Sequence, residues 1–392
     1  MVQSVIVAGF RTPIGKLLGS LCPMRASDLG GVAITALLTR TDIDPSIIDM
    51  VLMGQVLQAG AGQITARQAA AAAGIPLSVP ATTINKVCLS GLQTIYLADL
   101  MVRSGEAEVV IAGGMESMTD APYLLPGARG GYRAGDHTVV DSMMHDGLTC
   151  AFDHCAMGLA TERHNGRHIS RARQDEFAAR SHVLAAAAAA AGYFDSEIAA
   201  VTVPQRKGYA LRVDADEGIR PDTTAESLGK LRGAFEPDGT ITAGNASQIS
   251  DGAAAVLVMS AKRAAALGLE PLGKLIGYGQ VAGPDTSLLL QPANAIAVAA
   301  EKAGVQVDGL DIIEINEAFA AVALASMDAL GVSEDRVNVN GGAIALGHPI
   351  GMSGTRLAIT ALMELRRRGG GVAAVALCGG GGQGDGAILR SL

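Results

Sequence analysis

Short apolar runs alternate along the chain with Ala-rich stretches that are typical of helices. The apolar runs are short and rich in aliphatic residues, so they predict buried strands, namely Val5–Val7, Met50–Met53, Val109–Ala112 and Ala373–Leu377. The Ala-rich stretches predict helices over Ser27–Arg40, Gly91–Ser104, Pro292–Ala303 and Thr355–Arg367. This alternation predicts an α/β fold in which helices cover a largely parallel sheet.

The two ends of the chain repeat one pattern: an Asp before a strand, a Ser-Gly pair that opens a helix, and a Gly-Gly pair after a strand. The repeated positions, at offsets of 262, 263 and 266 residues, are Asp49 and Asp311, Ser90-Gly91 and Ser353-Gly354, and Gly113-Gly114 and Gly379-Gly380. Such steady spacing predicts a duplicated unit with small insertions, although any two β-α-β segments can align in this way. Equivalent turns of a duplicated unit would share one cleft on a pseudo-twofold axis. The segment 119–248 has no counterpart and suits an inserted ligand-binding excursion.

Composition and charge exclude several classes of protein. With 392 residues, 49% of them hydrophobic and 17% charged, the chain predicts extensive burial in two or three packed units. The net charge of −8 argues against a nucleic-acid binder, and without a run of 18 apolar residues no membrane span is expected. The five cysteines form no disulfide framework, so a reducing cytoplasm is expected. Because Cys150, His154 and Cys155 fit no standard zinc pattern, no metal site is expected.

Cys88 stands immediately before a predicted helix, in the segment Ile84-Asn-Lys-Val-Cys-Leu-Ser-Gly91. The positive end of the helix dipole would lower the pKa of a thiol at this place and favour the nucleophilic thiolate. Taken by itself, an isolated Cys among Val and Leu is more often an inert core residue.

Three further residues have the surroundings of catalytic groups. His348 lies between glycines and before Pro349, on a constrained loop of the kind that holds general bases, although a turn-capping His would look the same. Cys378 opens a Gly-rich segment after a strand, where backbone N–H groups can bind an oxyanion. A phosphate loop is the alternative there, but its Lys-Ser/Thr ending is missing. Asn316 follows a strand and by itself is best explained as a helix cap.

Taken in order along the chain, these residues and their neighbours resemble the thiolase family. The blocks that carry the resemblance are Arg11–Gly15, Asn85–Gly91, Gly113–Met118, Gly244–Ser247, Asp251–Ala253, Asn316–Phe319, Asn340–Ala343, Gly347–Gly351 and Cys378–Gly382. Each block alone is weak, but all of them in this order are specific, and they span nearly the whole chain.

The resemblance implies a thiolase fold, with two similar α/β halves in a layered α-β-α-β-α arrangement and an inserted loop domain. The N-terminal half would be 1–117, completed by about 250–270, and the C-terminal half would be 271–392. The loop domain, 118–249, would bind CoA and support oligomerisation. The family also implies a homotetramer built as a dimer of dimers.

The resemblance further implies a reversible Claisen condensation of two acetyl-CoA to acetoacetyl-CoA and CoA, with coenzyme A thioesters as substrates and no permanently bound cofactor. His348 would deprotonate Cys88, which would attack the first thioester and hold its acetyl group. Cys378 would then take a proton from the second acetyl-CoA. The enolate oxygen would be held by His348 and a water on Asn316, and the oxygen of the tetrahedral intermediate by the N–H groups of Cys88 and Gly380.

Several residues match the substrate contacts of the family. Ser247 matches a hydrogen-bond partner of the pantetheine arm. Arg220 matches a basic residue near the adenine–phosphate end of CoA, although an isolated Arg could equally be a surface charge. The other residues matched to the pocket are Met157, Phe235, Ala318 and Phe319.

Two departures from the family pattern affect the expected chain length. Ala156 stands where many short-chain thiolases have His, and Leu288–Leu290 stand where acetoacetyl-specific members have Met-Gly-x-Gly-Pro. A 3-ketoacyl-CoA thiolase acting on longer chains is therefore the nearest alternative. A ketoacyl synthase would normally lack Cys378, and a non-catalytic CoA-binding protein would not need the full set of reactive groups.

Overall fold

The computed structural model describes residues 2–205 and 207–392. The helices are α1 (Ala26–Thr41), α2 (Thr65–Ala72), α3 (Ser90–Ser104), α4 (Met157–Asn165), α5 (Arg171–Ala190), α6 (Ala225–Gly229), α7 (Ala261–Ala266), α8 (Gln291–Ala303), α9 (Ala320–Leu330), α10 (Ala343–Leu346) and α11 (Ser353–Arg367). The strands are β1 (Ser4–Arg11), β2 (Gly15–Lys16), β3 (Met50–Gly54), β4 (Ala81–Ile84), β5 (Val109–Ser117), β6 (Tyr123–Leu124), β7 (Val140–Asp141), β8 (Val201–Val203), β9 (Leu211–Val213), β10 (Ser250–Ser260), β11 (Gly273–Ala282), β12 (Ile312–Ile315), β13 (Val372–Gly379) and β14 (Gln383–Ser391). Each strand and helix predicted from the sequence lies within an element of the predicted type.

The central sheet is mixed, so the expectation of a largely parallel sheet is wrong. Its strands run in the order β12-β13-β14-β11-β1-β10-β5-β3-β4, with β2 beside β10. Parallel pairing is confined to β3 with β4 and β5 and to β12 with β13, whereas every other pair in the described part of this sheet is antiparallel. The reason is the route of the chain. A hairpin leads from β13 to β14 and the inserted segment leads from β5 to β10, and neither is the helical crossover that parallel neighbours need.

The two halves of the sheet repeat the same pattern of strand pairing, which confirms the predicted duplicated unit. In one half Met50 of β3 pairs with Val110 of β5, and in the other Ile312 of β12 pairs with Ala373 of β13. The matching strands β5 and β13 are therefore offset by 263 residues. The offset of 266 assigned to the Gly-Gly pairs is wrong. The two dipeptides are similar in sequence, but the strand register shows that they do not occupy equivalent positions with respect to β5 and β13.

Buried apolar residues form three large clusters that define the layers. The middle cluster holds α3 and α11 between the two halves of the sheet, with Leu92 and Leu357 as central members. A second cluster packs α1 and α2 on one outer face, and a third packs α8 and α9 on the other. This is the predicted α-β-α-β-α order. Each fully buried Leu contributes about 1.5–3 kcal/mol to the free energy of unfolding.

Helices α3 and α11 meet at their N-termini, and glycine makes this contact possible. The hydroxyl of Thr355 donates a hydrogen bond to the carbonyl of Gly91 at 2.9 Å. A Cβ on Gly91 would lie 2.8 Å from the carbonyl oxygen of Gly351, and a Cβ on Gly354 would overlap the backbone of Leu92. Only glycine allows so close an approach, and the turns that precede the two helices are thereby brought together.

Within the described residues, no helix combines the length and the apolar character that crossing a bilayer requires.

Candidate active site

Cys88 lies on a tight turn between β4 and α3. The preceding residue, Val87, has a φ of +51°, which is costly for a β-branched side chain and persists only where the surroundings impose it. Asn85 Oδ1 accepts a hydrogen bond from the N–H of Val87 at 3.0 Å. The Ser90 hydroxyl accepts from the N–H of Lys86 at 2.8 Å and donates to the carbonyl of Val87 at 2.6 Å. These bonds hold the strained turn.

The Cys88 thiol is neutral at pH 7, so the expectation of a lowered pKa is wrong. Burial raises the pKa of Cys88 to about 12; a backbone hydrogen bond opposes this rise, and the nearby negative charge of Glu116 adds a smaller increase. Desolvation outweighs the helix terminus here because the charged form loses more hydration than one dipole restores. A nucleophile of this kind needs a base to remove its proton.

His348 has the protonation state of such a base. Its Nδ1 lies 2.5 Å from the hydroxyl of Ser353, and that hydroxyl donates its own proton to the carbonyl of Pro349 at 2.9 Å. Since a hydroxyl has one proton to give, Nδ1–H of His348 is the donor to Ser353, and Nε2 keeps its lone pair. Burial, and secondarily the positive charge of Arg356, lower the pKa of His348 to about 3, so the ring is neutral at pH 7.

Asn316 belongs to the site and not to a helix cap. Helix α9 begins at Ala320 with Phe319 as its N-cap, so the capping interpretation is wrong. The amide Nδ2 of Asn316 donates to Nε2 of His348 at 3.3 Å. Its Oδ1 is buried and has no hydrogen-bond partner among the described residues. Burying an amide oxygen without a hydrogen-bond partner is unfavourable in free energy. This oxygen therefore offers an acceptor for a polar group beside the imidazole.

Cys378 lies at the end of β13, on the face opposite to its neighbour Leu377. The thiol is fully buried in a small apolar cluster with Leu288, Leu289 and Ala318. Burial raises the pKa of Cys378, and the charge that Cys88 can carry raises it further. A Cβ on Gly379, the residue after Cys378, would lie 2.7 Å from the side chain of Leu89, the residue after Cys88, so the two cysteine segments meet although they are far apart in sequence.

The glycine-rich hairpin that follows Cys378 packs against the turn that carries Cys88. Gly381 and Gly382 have φ values of +77° and +71°, and a Cβ on Gly380 would lie 3.6 Å from the side chain of Val87. Among the described residues, no backbone carbonyl outside the helices and strand ladders accepts the N–H of Gly380 or of Cys88. These two donors are the ones that the sequence assigned to an oxyanion.

Five residues matched to substrate binding lie together beside Cys378. Met157 and Phe319 border the apolar cluster that contains Ala318 and Cys378. Phe235 meets Phe319 edge to face, with ring centroids 6.3 Å apart, and the N–H of Ser247 donates to the carbonyl of Ala318 at 3.0 Å. The structure therefore brings these five residues into one wall.

Arg220 lies apart from this wall at the exposed edge of the site. Its guanidinium makes one long contact, 3.5 Å, to the side chain of Gln248. The carbonyl of Gln248 accepts the backbone N–H of His348 at 3.1 Å. Arg220 is thus separated by one residue, Gln248, from the loop that carries His348, and it is accessible to an anion in solution.

The sequence analysis missed several residues that support the site. Glu116 is fully buried and accepts three backbone N–H groups, those of Val56, Leu57 and Gly351, at 2.9 to 3.1 Å. Burial raises the pKa of its carboxyl to about 7. A charged residue in an otherwise apolar strand was the available signal for Glu116. Ser353 gave no comparable signal, because its contact with His348 depends on the geometry of the loop.

No group of three or more His, Cys, Asp or Glu side chains arranged to hold a metal ion occurs in residues 2–205 and 207–392. Cys150 instead accepts the backbone N–H of Asp153 through its sulfur at 3.4 Å, and His154 is exposed.

Two family models match the chain, the thiolase N-terminal domain over residues 4–262 and the thiolase C-terminal domain over residues 269–391. The chain belongs to the thiolase family. A probable acetyl-CoA acetyltransferase of Mycobacterium tuberculosis is 57% identical to this thiolase over 392 residues, which cover 100% of both chains. An acetyl-CoA acetyltransferase of Pseudomonas aeruginosa is 50% identical over 386 residues, covering 98% of each chain. The crystal structure of the Bacillus anthracis acetyl-CoA acetyltransferase has a TM-score of 0.97 to this thiolase at 38% identity and covers 100% of this chain and 99% of that one.

The thiolase fold expected from the sequence motifs is confirmed by these matches. Of the two departures from the family pattern, Leu288 and Leu289 are buried against the Cys378 cluster, whereas Leu290 is 47% exposed. Ala156 precedes α4 and gives that helix no side-chain cap.

Proposed function

We propose that this thiolase catalyses the reversible condensation of two acetyl-CoA to acetoacetyl-CoA and CoA through an acetyl group carried on Cys88. The observation that supports this most is the presence of two interacting thiols, Cys88 and Cys378, together with a neutral imidazole, that of His348, whose Nε2 carries a lone pair. The names of the relatives from Mycobacterium tuberculosis and Pseudomonas aeruginosa support the choice of acetyl-CoA as substrate.

In the first half-reaction Cys88 forms a bond to the carbonyl carbon of acetyl-CoA while Nε2 of His348 takes its proton. Because the pKa of Cys88 is raised to about 12 and that of His348 is lowered to about 3, free thiolate is scarce at pH 7. Proton transfer therefore accompanies the attack and does not precede it. The N–H groups of Cys88 and Gly380 hold the developing oxyanion. The CoA thiolate then leaves with the proton from His348.

In the second half-reaction the thiolate of Cys378, a minor species at pH 7 because burial raises the pKa of this thiol, removes a proton from the methyl carbon of a second acetyl-CoA. The resulting enolate attacks the acetyl carbonyl on Cys88 and the carbon–sulfur bond breaks. Cys88 leaves as a thiolate and takes the proton that Cys378 removed. The unpartnered Oδ1 and the Nδ2 of Asn316 can order a water that donates a hydrogen bond to the enolate oxygen. His348 donates to the same oxygen when its Nε2 carries a proton. These steps use side chains, backbone N–H groups and one ordered water, so no resident cofactor is needed.

The wall of Met157, Phe235, Ser247, Ala318 and Phe319 is proposed to hold the pantetheine arm, with Arg220 at the phosphate end of CoA. Apolar contacts beside a few directed polar groups suit a pantetheine chain. We also propose the homotetramer and the cytoplasmic location that the family resemblance and the free thiols imply.

A 3-ketoacyl-CoA thiolase for longer chains is the second candidate, and the name of a Staphylococcus epidermidis relative, probable acetyl-CoA acyltransferase, is compatible with it. The burial of Leu288 and Leu289 beside Cys378 favours short chains because these side chains occupy space that a longer acyl group would need.

CoA-dependent cleavage of acetoacetyl-CoA, compared with 3-ketooctanoyl-CoA, tests the proposal. Preference for acetoacetyl-CoA is expected, and preference for the longer substrate would favour the second candidate. Cys88→Ala is expected to abolish the acyl-enzyme. Cys378→Ala is expected to acylate from acetyl-CoA but not to condense or cleave, and normal turnover by that variant would overturn the proposed mechanism.

A further inference from the structure

An ion pair joins the turn that carries Cys88 to the strand beside the one that carries Cys378. Nζ of Lys86 lies 2.7 and 3.0 Å from the two carboxylate oxygens of Asp385 in β14. The Asp385 side chain is fully buried, with 0% of its surface exposed, whereas Lys86 is 21% exposed. A carboxylate removed from water is unfavourable unless it is paired, so Asp385 strongly favours the position that Lys86 now has.

Further contacts fix this pair from the other side. The hydroxyl of Tyr278 donates to Asp385 at 2.8 Å, and the Tyr278 ring stacks on Tyr96 of α3 with centroids 4.0 Å apart. Nζ of Lys86 also donates to Gln93 of α3 at 3.2 Å. The pair is therefore held to α3 and to β11 as well as to β14, and a shift of the Cys88 turn would break several contacts at once.

The pair connects positions next to both catalytic sulfurs. Lys86 precedes Cys88 by two residues, and the residue between them is the strained Val87. Asp385 lies opposite Leu377 in the β13–β14 ladder, and Leu377 directly precedes Cys378. A strained turn needs surroundings that impose its geometry, and here the Lys86–Asp385 pair adds a contact from the hairpin of the second cysteine to the local bonds of Asn85 and Ser90.

We infer that the Lys86–Asp385 pair is a positioning device that sets Cys88 against Cys378 for the making and breaking of the carbon–carbon bond. This inference rests on the proposed roles of the two cysteines. Acylation of Cys88 needs His348 but not Cys378, whereas condensation and cleavage need both sulfurs at the correct distance from each other. Loss of the pair therefore impairs the second half-reaction more than the first.

Lys86→Met and Asp385→Asn test whether loss of the ion pair impairs the second half-reaction more than the first. The rate of Cys88 acylation from acetyl-CoA is followed by mass spectrometry of the intact protein, and kcat for acetoacetyl-CoA cleavage by absorbance. We expect kcat to fall about 100-fold, the effect of a displacement on the order of 1 Å at a reacting atom, while acylation changes less than about threefold. Arg173→Met is the matched control, because it removes the exposed Arg173–Asp328 pair far from the thiols.

The conservative variant Lys86→Arg keeps the charge and is expected to recover part of kcat. If Asp385→Asn does not fold, Lys86→Met alone decides the question, because Lys86 is partly exposed. Equal losses of acylation and cleavage, or no loss in either, would overturn the inference. The proposed function fails separately, when Cys378→Ala cleaves acetoacetyl-CoA normally.

Discussion

The hydroxyl of Ser353 accepts a hydrogen bond from Nδ1–H of His348 at 2.5 Å and donates one to the carbonyl of Pro349 at 2.9 Å. Ser353 is the first residue of α11, so the orientation of the imidazole is tied to a helix that packs in the middle layer. The contact selects the tautomer in which Nε2 is basic, and Nε2 is the nitrogen beside Asn316.

Ser353→Ala is expected to lower kcat for acetoacetyl-CoA cleavage by about 10- to 100-fold with little change in KM, because the imidazole loses its fixed tautomer. Steady-state kinetics measure both constants. Ser260→Ala, which removes a buried helix-capping hydroxyl at the start of α7, is the control. An unchanged kcat in Ser353→Ala would show that another group orients the ring.

Glu116→Gln is expected to lower the pKa of the Cys88 thiol, because the negative charge of Glu116 raises that pKa in the native chain. A lower pKa gives more thiolate at any fixed pH, so alkylation of Cys88 by iodoacetamide should be faster between pH 7 and 9. Turnover should nevertheless fall, since an amide cannot accept all three backbone N–H groups and one of these belongs to Gly351, near His348.

The pH dependence of Cys88 alkylation, read by peptide mass spectrometry, measures the first effect of Glu116→Gln. Asp49→Asn is the control, because Asp49 accepts the N–H groups of Glu108 and Val109 at the opposite end of β5. An alkylation profile identical to that of the native chain would contradict the electrostatic role of Glu116.

Leu289→Ala is expected to open space beside Cys378 and to raise the preference for 3-ketooctanoyl-CoA over acetoacetyl-CoA by about 10-fold in kcat/KM. The same change should lower the free energy of unfolding by about 2–5 kcal/mol, as other buried Leu→Ala changes do. Leu324→Ala in the outer cluster should carry the same stability cost without the change in preference. Equal changes in substrate preference in both variants would show that the effect comes from a general loss of packing and not from the space beside Cys378.

Gly158→Ala is expected to raise KM for CoA about 10-fold while kcat changes little, as for a residue that contributes to ground-state binding. A Cβ on Gly158 would overlap the ring of Phe235 and push it out of the proposed pantetheine wall. Gly229→Ala in α6, where a Cβ meets nothing within 4 Å, is the control. An unchanged KM in Gly158→Ala would show that Phe235 does not contribute to CoA binding.

The sequence was sufficient for the order of elements, because aliphatic runs and Ala-rich stretches are local signals. It was also sufficient for the choice of Cys88, His348 and Cys378 as candidates, since each lies in a motif that resembles the family. The mixed character of the sheet was missed because strand direction depends on which segments pair, and the β13–β14 hairpin is formed by glycines that the sequence analysis assigned to a ligand.

The protonation states of the site could not be predicted from the sequence. The dipole at the start of α3 predicted a lowered pKa for Cys88, but the pKa depends more on burial, which results from the packing of both halves. The Lys86–Asp385 pair was missed for a similar reason, since its members are 299 residues apart and no local pattern relates them.

The middle layer has a consequence for how the chain can be divided. Leu92 of α3 and Leu357 of α11 belong to one buried cluster, so each half covers the apolar face of the other. A cut in the connection 267–272 between α7 and β11 would yield two fragments that each expose a hydrophobic helix face. Neither fragment would be expected to fold alone. Co-expression of the two should restore the catalytic centre, because every contact across the middle layer is non-covalent.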